Sequence, residues 1–515
     1  MERKLLLSLS MFIVCVSALK AEYTNGVFFL NEDWFGHSPG SLNYYNYDTE
    51  EVEYRVFSVT NTNKYLGNTS QYAQIFGNKI YIVSKQNYGV NESTGGRLIV
   101  VDAETLEQLA SLSEFDGNDG RSFVGVNSKK GYIGTTGGIY VLDLENYNLG
   151  NCIVGTNSTS GELYLGQVGD MLRYRNGKIY AVIQNIGVVV IDPINDNIES
   201  TIELPNIVSV FVTAGGTLYA SENGNGIYNF VKINTETLEI HKIDMPNGMS
   251  VQNQWGAWRS SSVACDITDN TIYFIGSENA KSVSSYNFDT GELVEDFITV
   301  PYGEKNEQIL YGTGVGVDPI SGQLLITTTE AGYSTHFKRN WIHFIDVSSR
   351  EIEKTVRLDD YYWFHAMSFY PDNSEPLISE IPSIELTVGE VSNNVFNLRN
   401  LVSDTDNNDN LIVVKVSSGN SNVCHVTTDA NENVSLSGVA EGKTILTITA
   451  DSNGKEVSRI VNVVVKKEIS GNVEFVTIDN APTEYYNLQG VKVVNPQKGM
   501  YIVKQGNKVS KISVK

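Results

Sequence analysis

The chain has 515 residues, with 37 Lys and Arg against 60 Asp and Glu, a formal charge of −23. That length exceeds one ordinary hydrophobic core and calls for two or three domains. The acidity excludes nucleic acid as a partner, because its phosphates would be repelled. With 28 Tyr, 45 Gly and only 11 Pro, and few helical apolar stripes, the expected class is all-β.

In chain order, residues 1–21 come first. Arg3 and Lys4 precede an apolar stretch, 5–16, and then small residues. This is the pattern of a secretory signal peptide, with cleavage after Ala18 or Ala21. Cys15 lacks the small residues that precede a lipid-bearing cysteine, so no lipid anchor is expected. No other long apolar run exists, so no membrane span is expected either. The remaining cysteines, Cys152, Cys265 and Cys424, are widely spaced and read as small buried hydrophobes.

Seven copies of one phrase follow. β runs after a turn occupy 26–30, 79–83, 131–135, 178–182, 217–221, 271–275 and 323–327. The next run in each copy ends at Asp48, Asp102, Asp143, Asp192, Asn234, Asp289 or Asp346, where an Asp or Asn side chain starts a turn by accepting backbone N–H groups. Copies two to seven are preceded by runs of smaller residues at 71–77, 121–128, 167–174, 206–213, 260–267 and 312–319. Copy one has no such run, but an orphan run, 363–371, stands after copy seven. With an outer run such as 197–204, each copy makes a four-stranded propeller blade. The expected fold of 22–373 is a seven-bladed β-propeller with velcro closure, its two ends sharing one blade.

Pro371 to Pro376 is a boundary by composition. Residues 374–467 alternate apolar and polar side chains at strand spacing, which predicts an immunoglobulin-like β-sandwich. Residues 468–515 predict a small C-terminal β module. Asp404, Asp406 and Asn408 place oxygens at alternate positions, as a calcium loop does. Asp409 stands where the turn glycine belongs and Lys415 where the bidentate Glu belongs, so a solvated polar loop is the plainer reading.

On the four-stranded scheme, all five tryptophans fall on one rim: Trp34, Trp255, Trp258, Trp341 and Trp363. Phe35, Tyr88, Tyr333, Tyr361, Tyr362, Arg121 and Arg259 lie with them. Large flat rings offer contact area at low entropic cost and suit a planar or ring-bearing ligand. The bland alternative is that they plug the channel or pack between blades. His37, His336 and His365 also fall on rim segments, and a metal held by them is the sharper reading. They show no local ligand motif, so satisfied or exposed imidazoles are the plainer one.

The blade sequence VVVIDPINDNIESTIELP (188–205) resembles YVTN-type, YncE-like seven-bladed propellers. GVFFLNEDWFG (26–36) and FHAMSFYPDN (364–373) resemble exported surface propellers of outer-membrane-bearing bacteria. Some of those relatives bind cobalamin and pass it to a TonB-dependent transporter. The tail from EYYNLQGVKV to KVSKISVK (484–515) resembles C-terminal modules of type IX secretion cargo. The resemblance implies an exported, non-catalytic surface protein that captures a small ligand, a corrinoid, beside an outer-membrane transporter; a glycan would stack on the same tryptophans and fits equally well. Periplasmic retention is the alternative location. A metal-dependent lyase or hydrolase on a sugar, with Glu32 and Asp33 beside His37, is the enzyme alternative, and a protein–protein adhesion or scaffold module is the third.

Overall fold

A computed structural model describes residues 23–34, 37–86, 95–113, 116–159, 162, 164–252, 255, 262–276, 281–332, 334–358, 365–467, 482–506 and 508–515. The expected signal peptide lies outside them. The described residues are almost entirely β and propeller-like, built from four-stranded antiparallel meanders. One begins with Asn68–Phe76 and Lys79–Gln86, the next with Gly120–Asn127, then Val168–Arg173, Ile207–Val212 and Val263–Cys265. An eight-stranded sheet joins two such quartets. Its order runs Glu351–Leu358, Asn340–Asp346, Leu324–Glu330, Gln308–Val317, His365–Phe369, Gly26–Asn31, Ser41–Asn46, Glu51–Glu53.

The N-terminal strand Gly26–Asn31 thus pairs antiparallel with His365–Phe369, more than 330 residues away, and Phe28 stacks on Phe369 at 5.0 Å. Both faces of this strand are buried. Phe28 and Leu30 pack against Ile75, Ile80 and Ile82 of the following sheet, while Val27 and Phe29 pack against Leu325, Ile342 and Phe344. A continuous apolar run is what a strand between two stacked sheets requires. Outer strands face solvent on one side and alternate instead, as Glu351–Leu358 does.

The turn chemistry holds with two shifts in position. Asp102, Asp143, Asp192, Asn234 and Asp346 accept N–H groups two or three residues on. In the first and sixth copies the acceptors are Asn46 and Asn287, not Asp48 and Asp289. Both strands end two residues early, and an amide oxygen does the same work as a carboxylate.

Residues after the last strand of the eight-stranded sheet form, beside a two-stranded pairing of Leu377–Ile378 with Val402–Ser403, two larger sheets around one core. One contains Ile384–Thr387, Lys455–Lys466, Gly442–Ser452 and Val413–Ser418, and the other Val391–Asn397, Asn433–Gly438 and Cys424–Thr428. A last sheet of Lys492–Val493, Thr483–Tyr486, Gly499–Gln505 and Lys508–Val514 follows. Cys152, Cys265 and Cys424 are free thiols; Cys424 is buried and the other two are partly so.

Two histidines are sealed in the propeller-like region. His343 bonds Gln308 at 2.8 Å and Thr355 at 2.9 Å, and burial lowers it to about 4. Burial lowers His365 to about 3, against a backbone hydrogen bond at Thr313 that raises it. The unfolded chain takes up these protons below pH 6.5, the folded chain only below about 4 and 3. They therefore supply on the order of 3 kcal/mol (His343) and 5 kcal/mol (His365) above pH 6.5, lost progressively as pH falls through that window. Urea denaturation at pH 7.5, 5.5 and 4.5 is expected to show falling stability, with a shallower fall in His343→Gln.

Candidate binding site

The second strand of each meander ends, and the inner strand begins, at one common end, here called the mouth. Neighbouring inner strands touch one another, among them His365–Phe369 with both Gln308–Val317 and Asn68–Phe76. The mouth is unusually polar for a protein interior. Glu32, just past Gly26–Asn31, is buried; it accepts 2.5 Å from the Gln71 amide and 3.2 Å from the Tyr311 hydroxyl. One carboxyl therefore bonds both the Gln308–Val317 strand of its own eight-stranded sheet and the following sheet that begins with Asn68–Phe76.

Lys85 and Arg121 are also buried beside it. Burial pushes Glu32 up to about 7, opposed by the attraction of Lys85 and the Gln71 and Tyr311 hydrogen bonds. Burial pulls Lys85 down to about 7, helped by Arg121 and resisted by Glu32 and Asp119. The two titrate as a pair rather than as separate residues. Burial lowers Arg121 too, with Asp170 and Asp119 holding it back. Lys85 also lies 5.7 Å from the Tyr164 ring, whose hydroxyl donates to Asp119 at 3.3 Å.

Next to this cluster the chain presents an aromatic pair. Trp34 is 44% exposed and stacks on His37 with centroids 3.9 Å apart. The loop carrying them is clamped from below. Asp33 has a fully buried side chain; it binds Arg55 at 2.8 Å and accepts from Ser41 at 2.8 Å. His37 and Ser38 N–H groups close onto the Trp34 carbonyl at 2.9 Å. A ring held this way loses little entropy when it meets a ligand.

The neighbouring entry strand is strained. Thr69 is β-branched yet sits at φ 55, and both amide atoms of buried Asn68 lack a hydrogen-bond partner. Such atoms are rare in native interiors and concentrate where function needs them.

The remaining rim residues divide. Arg121 does reach the mouth, but inside it rather than on its surface. Trp341 is 6% exposed, sealed within Asn340–Asp346 opposite Thr328 and Arg357. Trp255 is half-buried, donates its indole N–H to the Ile207 carbonyl at 2.9 Å and packs against the adjoining core. Both therefore pack instead of lining a surface. Phe35, Tyr88, Trp258, Arg259, Tyr333, Tyr361, Tyr362 and Trp363 lie outside the described residues.

The histidine expectation is corrected. His336 bonds buried Glu330 at 2.8 Å, His365 is walled in against Phe29, and His37 lies on Trp34. Among the described residues, no three His, Cys, Asp or Glu side chains form a group able to hold a metal ion. The calcium loop is corrected as well. The Asn408 side chain accepts from Asn410 N and donates to the Thr213 carbonyl, and Asp406 accepts from Asn373 and Ser374 N–H, so these groups are committed to protein.

Sequence reasoning passed over Gln71, Lys85, Asp119 and Tyr311. A signal existed: the expected inner runs begin with a long polar residue at Gln71, Arg121 and Gln167. Such a residue at the head of an apolar run points to a polar axis.

Arg55→Ala strands the buried Asp33 carboxylate. With Arg55 half exposed, the expected loss is about 2 kcal/mol, read by chemical denaturation, together with greater rotational freedom of Trp34 in fluorescence anisotropy.

Among curated proteins, none matches the chain significantly. Among solved structures, it is similar to a quinoprotein alcohol dehydrogenase-like protein from Bacteroides thetaiotaomicron, at 17% identity and TM-score 0.50, over 68% of this chain and 79% of that one. It is also similar to a Lactobacillus plantarum protein (9% identity, TM-score 0.44, 67% and 98% covered) and to Kuenenia stuttgartiensis hydrazine synthase (13%, 0.40, 67% and 97%). At these identities the likeness bears on the fold alone. Residues 25–371, from the N-terminal strand through the closing strand, match the family described as a domain of unknown function (DUF5074), and the chain belongs to that family.

Proposed function

We propose that this is an exported, non-catalytic surface protein that captures a small ring-bearing ligand, a corrinoid or a glycan, at the mouth of a seven-bladed propeller. The observation that carries the reading is the exposed, clamped Trp34–His37 stack beside the buried Glu32, Gln71, Lys85 and Arg121. Stacking and hydrogen bonding then act on one ligand from adjacent walls.

Seven quartets of strands and the pairing of Gly26–Asn31 with His365–Phe369 support seven blades closed by velcro. The two-sheet unit after them is read as immunoglobulin-like and the last sheet as a type IX sorting-like module. The leader sends the chain out, to the cell surface or the periplasm, where an outer-membrane transporter is the expected partner for an uptake system. Among the described residues, no helix is long and apolar enough to cross a membrane.

A lyase or hydrolase acting on a sugar is the second reading. It draws on the Glu32–Lys85 pair, whose members both titrate near neutrality.

The leaderless chain is titrated with cyanocobalamin and with a glycan panel while tryptophan emission is followed. Saturable quenching by one of them is expected, weakened about tenfold or more in Trp34→Ala. Turnover of a sugar would establish the enzyme reading instead. No response to any of these probes would sink capture and leave the scaffold reading.

A further inference from the structure

The end opposite the mouth, the base, is formed by the turns that join inner to second strands. The two-sheet unit that follows the propeller-like region sits on it through two loops. From the first, Asn408 and Asn410 donate their side-chain amides to the Thr213 and Ala214 carbonyls at 3.0 and 2.7 Å. Leu411 packs against the core shared by the fourth and fifth meanders. From the second, Asn453 donates to the Ile75 carbonyl at 2.9 Å, and its own carbonyl accepts from Gly77 N–H at 2.8 Å.

Between the loops lies an ion pair removed from solvent. Arg173 grips Asp451 with both guanidinium nitrogens at 2.6 and 2.8 Å, the two side chains being 8% and 16% exposed. The same guanidinium donates to the Val126 carbonyl at 3.1 Å and lies 5.3 Å from the Phe76 ring. Residues of three meanders are therefore held by one neighbouring unit, and Arg173 ties in a fourth through the Val126 carbonyl. Gly454 lets the surfaces meet: at φ +88, a Cβ there would reach Gly77 N at 2.7 Å and the Phe76 ring at 2.9 Å.

The connecting segment is pinned as well. Asp372 pairs with Lys455 at 2.9 Å and accepts from Asn453 at 2.8 Å, and Asp406 takes the Asn373 and Ser374 N–H groups at 2.7 and 2.9 Å. A tethering linker would leave these backbone groups to water. Here they are bonded to protein.

We infer that the two-sheet unit is a plug, latched by Arg173–Asp451, that closes the base of the propeller-like region to solvent. Between the two units lies a partly open cavity of ≈ 270 Å³, lined by Gln74, Gly125 and Arg173 on one side and Asn407, Ser452 and Asn453 on the other. Gln74 Oε1 in its wall lacks a hydrogen-bond partner. The plug does not depend on which ligand the mouth takes. It changes the role of the second unit from a spacer to a floor.

The test uses the leaderless full chain carrying Gln74→Cys, with maleimide labelling at that residue followed by peptide mass spectrometry so that Cys152, Cys265 and Cys424 are scored separately. Slow labelling is expected with the native latch. Arg173→Asp leaves two carboxylates facing each other in a buried site, so labelling should accelerate at least about a hundredfold. Adding Asp451→Arg restores the pair with reversed sense and should restore protection, which separates an open latch from a misfolded chain. Fast labelling with the native latch would show an open base and overturn the plug. Equal protection in Arg173→Asp would overturn the latch.

Discussion

A meander of four strands leaves two edges, and pairing with a further strand covers one of them. In this chain the pairing that joins the N-terminal quartet to the last falls on six residues. Gly26–Asn31 finds His365–Phe369 on one side and Ser41–Asn46 on the other, and both of its faces are buried. Everything at the mouth is built on this strand. Glu32 and Asp33 are the next residues along it, so the position of the charged cluster and of the Trp34 loop is set by the same pairing that unites the chain ends.

The repeat was legible because its physics is local. A turn that needs an Asp or Asn acceptor, and a strand buried on both faces, each leave a mark within a few residues. The two misplaced turn acceptors show the limit of that mark. Asn46 and Asp48 are two apart and chemically alike as acceptors, so only the strand end, decided by pairing, chooses between them.

The site was legible to a lesser degree, for a related reason. Assigning five tryptophans to one rim used strand direction, which the repeat supplies. Whether a ring faces solvent depends on what packs over it, and those neighbours come from distant segments. Trp255 meets Ile207, 48 residues away, and Trp341 lies between strands of its own meander. Trp34 escapes because its loop is pulled down at Asp33, leaving the next residue outside. The loop at 404–410 misled in the same manner. Alternating oxygens suit a cation, but equally suit a surface that must satisfy exposed backbone groups on a neighbour, and the sequence holds no trace of Thr213 and Ala214 waiting there.

The two ends of the axis solve opposite problems with similar residues. At the base, side-chain amides meet backbone carbonyls and one bidentate ion pair is complete. At the mouth, Glu32 and Lys85 are held near the point of neutrality, Asn68 keeps both amide atoms unpaired and Thr69 stays in a backbone region that β-branched residues avoid. Unsatisfied groups and strain persist only where the surrounding structure overdetermines them. The contacts with the two-sheet unit supply that rigidity, because meanders bonded to one neighbouring unit cannot relax their mouth ends one sheet at a time. On this argument the two ends are coupled: the bonds made at one end hold in place the strain kept at the other.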